Sequence, residues 1–115
     1  MKTYNCGLDI TLEVVGGKWK ALILYYLLTG PKRTGELKRL ADNITQKMLI
    51  QTLKELEANG LIHRKTYNQV PPKVEYSVTE LGETLKPVLE SLCKWGEDYA
   101  ESTFNKNEYQ ILNAN

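Results

Sequence analysis

At 115 residues, 42% of them hydrophobic and 25% charged, the chain has the size and balance of one ordinary globular domain, which excludes multi-domain, collagen-like, disordered and disulfide-scaffold architectures. No apolar run approaches the roughly 18 residues of a membrane span, and the polar start Met1-Lys2-Thr3-Tyr4-Asn5 lacks a secretory signal's apolar run, so a cytoplasmic protein without a membrane partner is expected. The net charge of +1 hides an asymmetry: Pro31 to Lys73 carries nine basic against four acidic residues, and the flanks carry six against ten, the distribution of a nucleic-acid-facing surface on a nearly neutral protein.

Leu8, Leu12 and Val15 fall at helical spacing and define a short first helix that Gly16-Gly17 interrupts. A second apolar stretch, Trp19 to Leu28, ends at Gly30-Pro31 and predicts a longer helix. Lys18, near its start, is a candidate phosphate contact; the two glycines before it lack the rest of a P-loop and suit a sharp turn or a close helix approach. A third helix is expected over about Gly35 to Ala41, capped by Thr34, with Glu36 in its positive first turn and Leu37 and Leu40 facing inward. The fourth opens at Thr45 as N-cap, and Ile44 is spaced to pack on Leu49 as a hydrophobic staple. Leu49, Leu53 and Leu56 form its buried stripe, and Asn59-Gly60 stops it. Third helix, loop and fourth helix read as a helix-turn-helix.

After Gly60 the pattern becomes alternating. Leu61 to Tyr67, and Val74, Tyr76 and Val78, read as two strands around the tip Asn68-Gln69-Val70-Pro71-Pro72, a two-stranded wing. From a cap at Thr79 the chain turns helical again. Leu81, Leu85, Val88, Leu92, Trp95 and Tyr99 recur at intervals of 4, 3, 4, 3 and 4, a heptad seam in a helix that Pro87 either kinks or divides. Residues 104–115 are Asn-rich, lack periodicity and predict a frayed tail, which leaves a core over about 4–103 in a single domain, 1–115. The fold class expected is mostly α with a small β-ribbon: a winged helix-turn-helix with flanking N- and C-terminal dimerisation helices.

With its leucines turned inward, the fourth helix presents Gln46, Lys47, Ile50, Gln51 and Lys54 on the opposite face. Glutamine reads base edges, lysine reaches phosphate or guanine, and an exposed isoleucine meets a thymine methyl in the major groove. Arg64, Lys65 and Lys73 flank the wing tip and suit backbone or minor-groove contacts, although Arg64 alternatively pairs with Glu75 across the ribbon. Arg33 and Thr45 complete the candidate DNA-binding set.

The apolar positions of the flanking helices, Leu8 and Leu12 in the first and Leu85, Val88, Leu92, Trp95 and Tyr99 in the last, either complete the domain's own core or form a homodimer seam. The dimer is favoured because the winged helix between Lys18 and Val78 already has apolar faces of its own. Two-fold symmetry then spaces two recognition helices roughly 34 Å apart, one DNA turn, and implies a pseudo-palindromic double-stranded operator.

No paired carboxylates, Gly-rich phosphate loop or metal-ligand spacing emerges, and the lone His63 has no carboxylate or cysteine neighbour in sequence. No enzyme, metal or cofactor is therefore expected. Cys6 and Cys93 stand in no Cys-x-x-Cys pair. Cys6 precedes the first helix, where exposure and a helix N-terminus lower a thiol's pKa while Asp9 opposes that, and Cys93 sits beside the seam position Leu92, where it is either a sensor thiol or an ordinary small residue.

The segments Gly16-Gly17-Lys18-Trp19-Lys20, Gly30-Pro31-Lys32-Arg33, Glu36-Leu37-Lys38-Arg39, Ile44-Thr45-Gln46-Lys47-Met48-Leu49, Pro71-Pro72-Lys73-Val74-Glu75-Tyr76-Ser77 and Trp95-Gly96 resemble the HxlR-type family of bacterial winged-helix regulators, relatives of the MarR-like group. The resemblance runs from Tyr4 to about Tyr99. It implies a homodimeric cytoplasmic transcriptional regulator, with the helix after Thr45 in the major groove and the Pro71-Pro72 wing on the backbone or minor groove. It also implies a sensing role for Cys6, because several members respond to electrophiles or oxidants through a cysteine just ahead of the first helix. Here Gly7 follows Cys6 where the family has proline, Thr34 stands where an aromatic residue is usual, and Leu8 stands where the aldehyde-responsive type has lysine, so a lysine-assisted aldehyde switch is not expected. The expected mechanism is that modification of Cys6, or its pairing with Cys93 of the other subunit, shifts the first helix against the dimer core and changes recognition-helix spacing. The rival reading is a winged-helix protein-interaction module whose basic face docks an acidic partner without sequence-specific DNA binding; duplex preference and salt dependence separate the two.

Overall fold

In the computed structural model, which describes residues 1–113, the chain runs α1 (Gly7–Val15), α2 (Trp19–Leu27), α3 (Thr34–Leu40), α4 (Gln46–Ala58), β1 (Ile62–Tyr67), β2 (Lys73–Val78), α5 (Glu80–Glu83) and α6 (Lys86–Thr103). The most apolar helix, α2, lies centrally and touches α1, α3, α4, α6 and β2. Its Ile23, Leu24 and Leu27 are fully buried with Leu37 of α3 and Leu49, Leu53 and Leu56 of α4, each such burial contributing about 1.5–3 kcal/mol. Among the described residues no helix is long and apolar enough to cross a membrane.

The start of α4 follows its local signals. The Thr45 hydroxyl accepts the Met48 N–H at 3.1 Å, Ile44 and Leu49 are both buried, and Gly60, at φ +77°, turns the chain out of the helix. Helix α3 departs from expectation by one residue: Thr34 lies inside the helix and Arg33 is the N-cap. An arginine offers no acceptor, so the end is held the other way round, with the Arg33 N–H donating to Glu36 Oε1 at 3.0 Å.

β1 and β2 pair antiparallel from Ile62 with Val78 to Tyr67 with Lys73. A third contact extends this wing: the Lys32 N–H donates to Tyr76 O at 2.9 Å, and the Tyr76 N–H to Lys32 O at 2.8 Å. The Thr79 hydroxyl then accepts the Gly82 N–H at 3.1 Å and donates to Gly60 O at 2.6 Å, which ties α5 to the start of the wing.

Pro87 divides the last helical segment. It sits in the first turn of α6, where its missing N–H leaves nothing unsatisfied, and α5 ends at Glu83. The continuous seam is corrected accordingly. Leu81 belongs to α5, Leu85 is half-buried against the core, and Leu89, outside the heptad positions, is the buried leucine of α6. After Phe104, where a frayed tail is expected, residues 105–113 form no helix or strand, and the Asn113 side-chain amide donates to Leu40 O at 2.9 Å and to the Tyr26 hydroxyl at 3.2 Å. Ala114 and Asn115, the end of that expected tail, lie outside the described residues.

Candidate nucleic-acid interface

Helix α4 buries Leu49, Thr52, Leu53 and Leu56 and leaves Gln46, Lys47, Gln51 and Lys54 exposed. Ile50 was expected on that outer face; it is half-buried, because at 3.6 residues per turn it stands only about 60° from Leu53. The exposed apolar group is Met48, 42% accessible, which pattern reading missed although it stands about 100° from Leu49 on the other side of the buried stripe. Gln51 Nε2 donates to Glu55 Oε1 at 3.1 Å, which holds one glutamine against its own helix, and Thr45 spends its acceptor on the cap.

The wing carries the second cluster. The ammonium groups of Lys65 and Lys73 each lie 4.8 Å from the centre of the Tyr67 ring, and Lys73 pairs with Glu75 at 3.5 Å. The Tyr67 hydroxyl donates to the same carboxylate at 3.1 Å. Arg64 does not take the alternative partner Glu75. The register sets Arg64 opposite Tyr76 and Lys65 opposite Glu75, and the Arg64 guanidinium turns along its own strand, 3.4 Å from the Thr66 hydroxyl. Arg33 is exposed at the head of α3. Lys18 is exposed as well, but its ammonium lies over the Trp19 ring at 4.7 Å, at a cavity between α2 and α6 whose lining includes no residue of α4.

The flanking helices leave apolar surface uncovered. Leu8, Leu12, Leu92 and Trp95 are each more than half accessible, and Ile10, Val88 and Tyr99 are also exposed; Trp95 stacks on Tyr99 at 5.1 Å. Leu85, expected in the same stripe, packs instead on the core. Both cysteines are free thiols. Cys6 is exposed as the N-cap residue of α1 and makes no side-chain capping bond, while the neighbouring Asp9 carboxylate accepts the Asn5 N–H at 3.1 Å and its amide at 3.2 Å. Cys93 is half-buried against Tyr25, whose phenol is pushed up to about 12 by hydrogen bonding to Cys93, then by burial, then by the charges of Cys93, Glu97 and Glu90.

A model of the HxlR-like helix-turn-helix family matches residues 14–104. The chain belongs to that family. The uncharacterized HTH-type transcriptional regulator YkvN of Bacillus subtilis (strain 168) is 66% identical over 112 residues, 97% of this chain and 95% of its own. The solved redox regulator HypR matches in its reduced form with a TM-score of 0.80 at 47% identity, over 84% of this chain and 96% of that one. Its oxidized form matches with a TM-score of 0.78 at 50% identity, over 81% and 96% respectively. This HxlR-like chain is thus a member of a family of winged helix-turn-helix transcriptional regulators. Cys6 and residues 105–113 lie outside the matched segment.

Proposed function

We propose that this chain is a homodimeric, sequence-specific DNA-binding transcriptional regulator whose operator affinity responds to modification of Cys6. The observation that carries the reading is the outer face of α4, where Gln46, Lys47, Gln51 and Lys54 are exposed together beside a wing that presents Arg64 and Lys65. Glutamines supply base-edge hydrogen bonds in the major groove, and the lysines and arginines neutralise phosphates. The uncovered apolar residues of α1 and α6 support a two-fold dimer, in which recognition helices about 34 Å apart meet a pseudo-palindromic site.

The redox character of HypR supports a thiol response, as does the exposed Cys6 at the edge of the apolar α1 surface. In the proposed switch an oxidant such as diamide takes two electrons and two protons from Cys6 and Cys93 of opposite subunits, leaving an inter-subunit disulfide that shifts α1 against α6.

Fluorescence anisotropy of the reduced protein on duplexes tiled over its own upstream region and on duplexes recovered by genome-wide selection, with scrambled controls, tests the reading. Selective binding that falls steeply with salt and changes on adding diamide is expected. Uniform weak binding on every duplex at several salt concentrations refutes DNA readout and favours a protein-interaction module. A Cys6→Ser protein that still responds fully to diamide and quinone refutes the thiol switch alone.

A further inference from the structure

A cavity of about 500 Å³ opens between α2 and α6, within the size range of small-molecule sites. Trp19, Tyr25 and Tyr26 form one wall and Leu89, Leu92 and Cys93 the other. The remaining side is built by the segment expected to fray, through Ile111 and Leu112. That segment is fixed at both ends. Edge-on ring contacts of Tyr99 with Phe104 at 5.8 Å and of Phe104 with Tyr109 at 5.6 Å lead the chain away from α6, and the two hydrogen bonds from Asn113 pin it to α2 and to the end of α3.

We propose that this cavity is a binding site for an uncharged aromatic molecule of up to three rings, closed on one side by Ile111 and Leu112. Its size and aromatic walls set the class, since a planar ring recovers dispersion contacts that an unfilled apolar space forfeits. The polar groups set the charge. Lys18 and Asp42, at its margin, are of opposite sign, so neither a cation nor an anion gains a net counter-charge to offset its desolvation. The Tyr25 hydroxyl keeps its proton up to about 12 and stays neutral at any working pH. Leu40 and Asp42 at the end of α3 and Cys93 on α6 border the same space, so an occupant touches both the helix-turn-helix and the long C-terminal helix. None of this depends on DNA binding.

N-phenyl-1-naphthylamine, an uncharged probe that brightens in apolar surroundings, tests the site on the full chain. Saturable brightening at one probe per chain is expected. Ala21→Phe, which places a ring in the cavity, should weaken binding at least about tenfold, and the double change Ile111→Ser with Leu112→Ser about fivefold; a melting curve confirms that each variant is folded. The serine pair, at exposed positions, serves if Ala21→Phe fails to fold. Absence of saturable binding overturns the proposal, because the space is then filled by protein in solution. Saturable binding unchanged in the folded variants also overturns it, since the probe is then held on the exposed face of α6.

Discussion

Replacing Gly82 with alanine tests how firmly α5 is locked to the start of the wing. The added Cβ would stand 2.2 Å from the Leu61 carbonyl oxygen, 3.2 Å from its carbon and 3.4 Å from the Val78 Cβ. Leu61 has nowhere to retreat: its side chain is buried, its carbonyl accepts the Thr79 N–H at 3.0 Å, and its N–H donates to Leu56 O at 3.0 Å. Lifting α5 instead breaks the bonds of the Thr79 hydroxyl. Relief therefore combines overpacking, about 1–3 kcal/mol, with the loss of at least one hydrogen bond, about 1 kcal/mol. A total of about 2–4 kcal/mol is a large share of the 5–15 kcal/mol typical of a domain and corresponds to a drop in melting temperature of about 8–15 °C. Thermal and urea unfolding at one fixed protein concentration measure it, since dimerisation would make stability concentration-dependent. Gly35→Ala is the control: in α3 the new methyl meets nothing nearer than the Arg39 guanidinium at 3.9 Å, so stability should hold or rise by up to about 0.5 kcal/mol. A Gly82→Ala protein melting within about 2 °C of the parent would refute the clash argument.

Thr45→Ala should cost about 1 kcal/mol by freeing the Met48 N–H, with Thr45→Ser retaining most of it, as read by urea unfolding. On its selected duplex, Lys47→Ala should lower the slope of log affinity against log salt by about one, and an unchanged slope would remove Lys47 from the phosphate contacts. Tyr25 should titrate near a pH of about 12, in absorbance at 295 nm. The folded chain then keeps a proton that the unfolded chain releases from the usual value of 10, so this group's contribution to stability is lost as pH rises from 10 to about 12. Cys93→Ala should bring the titration earlier; no movement would show that the thiol is not the cause.

The sequence by itself determined those elements whose signals are local. Helix α4 shows its cap at Thr45, its staple at Ile44 and Leu49, its leucine stripe and its stop at Gly60 within seventeen consecutive positions, 44–60, and most of the outer face follows once the stripe is assigned. The wing follows from alternation, and the exposed flanking leucines from apolar positions in excess of one small core. The tertiary structure decided what depends on partners far away in sequence or on competition between neighbours. Helical spacing puts Ile50 and Met48 on opposite shoulders of the leucine stripe, and packing decides how far each is covered, with Ile50 half-buried and Met48 exposed. Lys32 meets Tyr76 through a single backbone pair, too short to leave an alternating pattern. The pairing register, not the charges, denies Glu75 to Arg64, and Pro87 divides the last helix because α5 is already held by Thr79 and Gly60. Asn113 bonds to residues 73 and 87 positions earlier. Such contacts are fixed by the energy of the assembled core, to which a short window of sequence has no access.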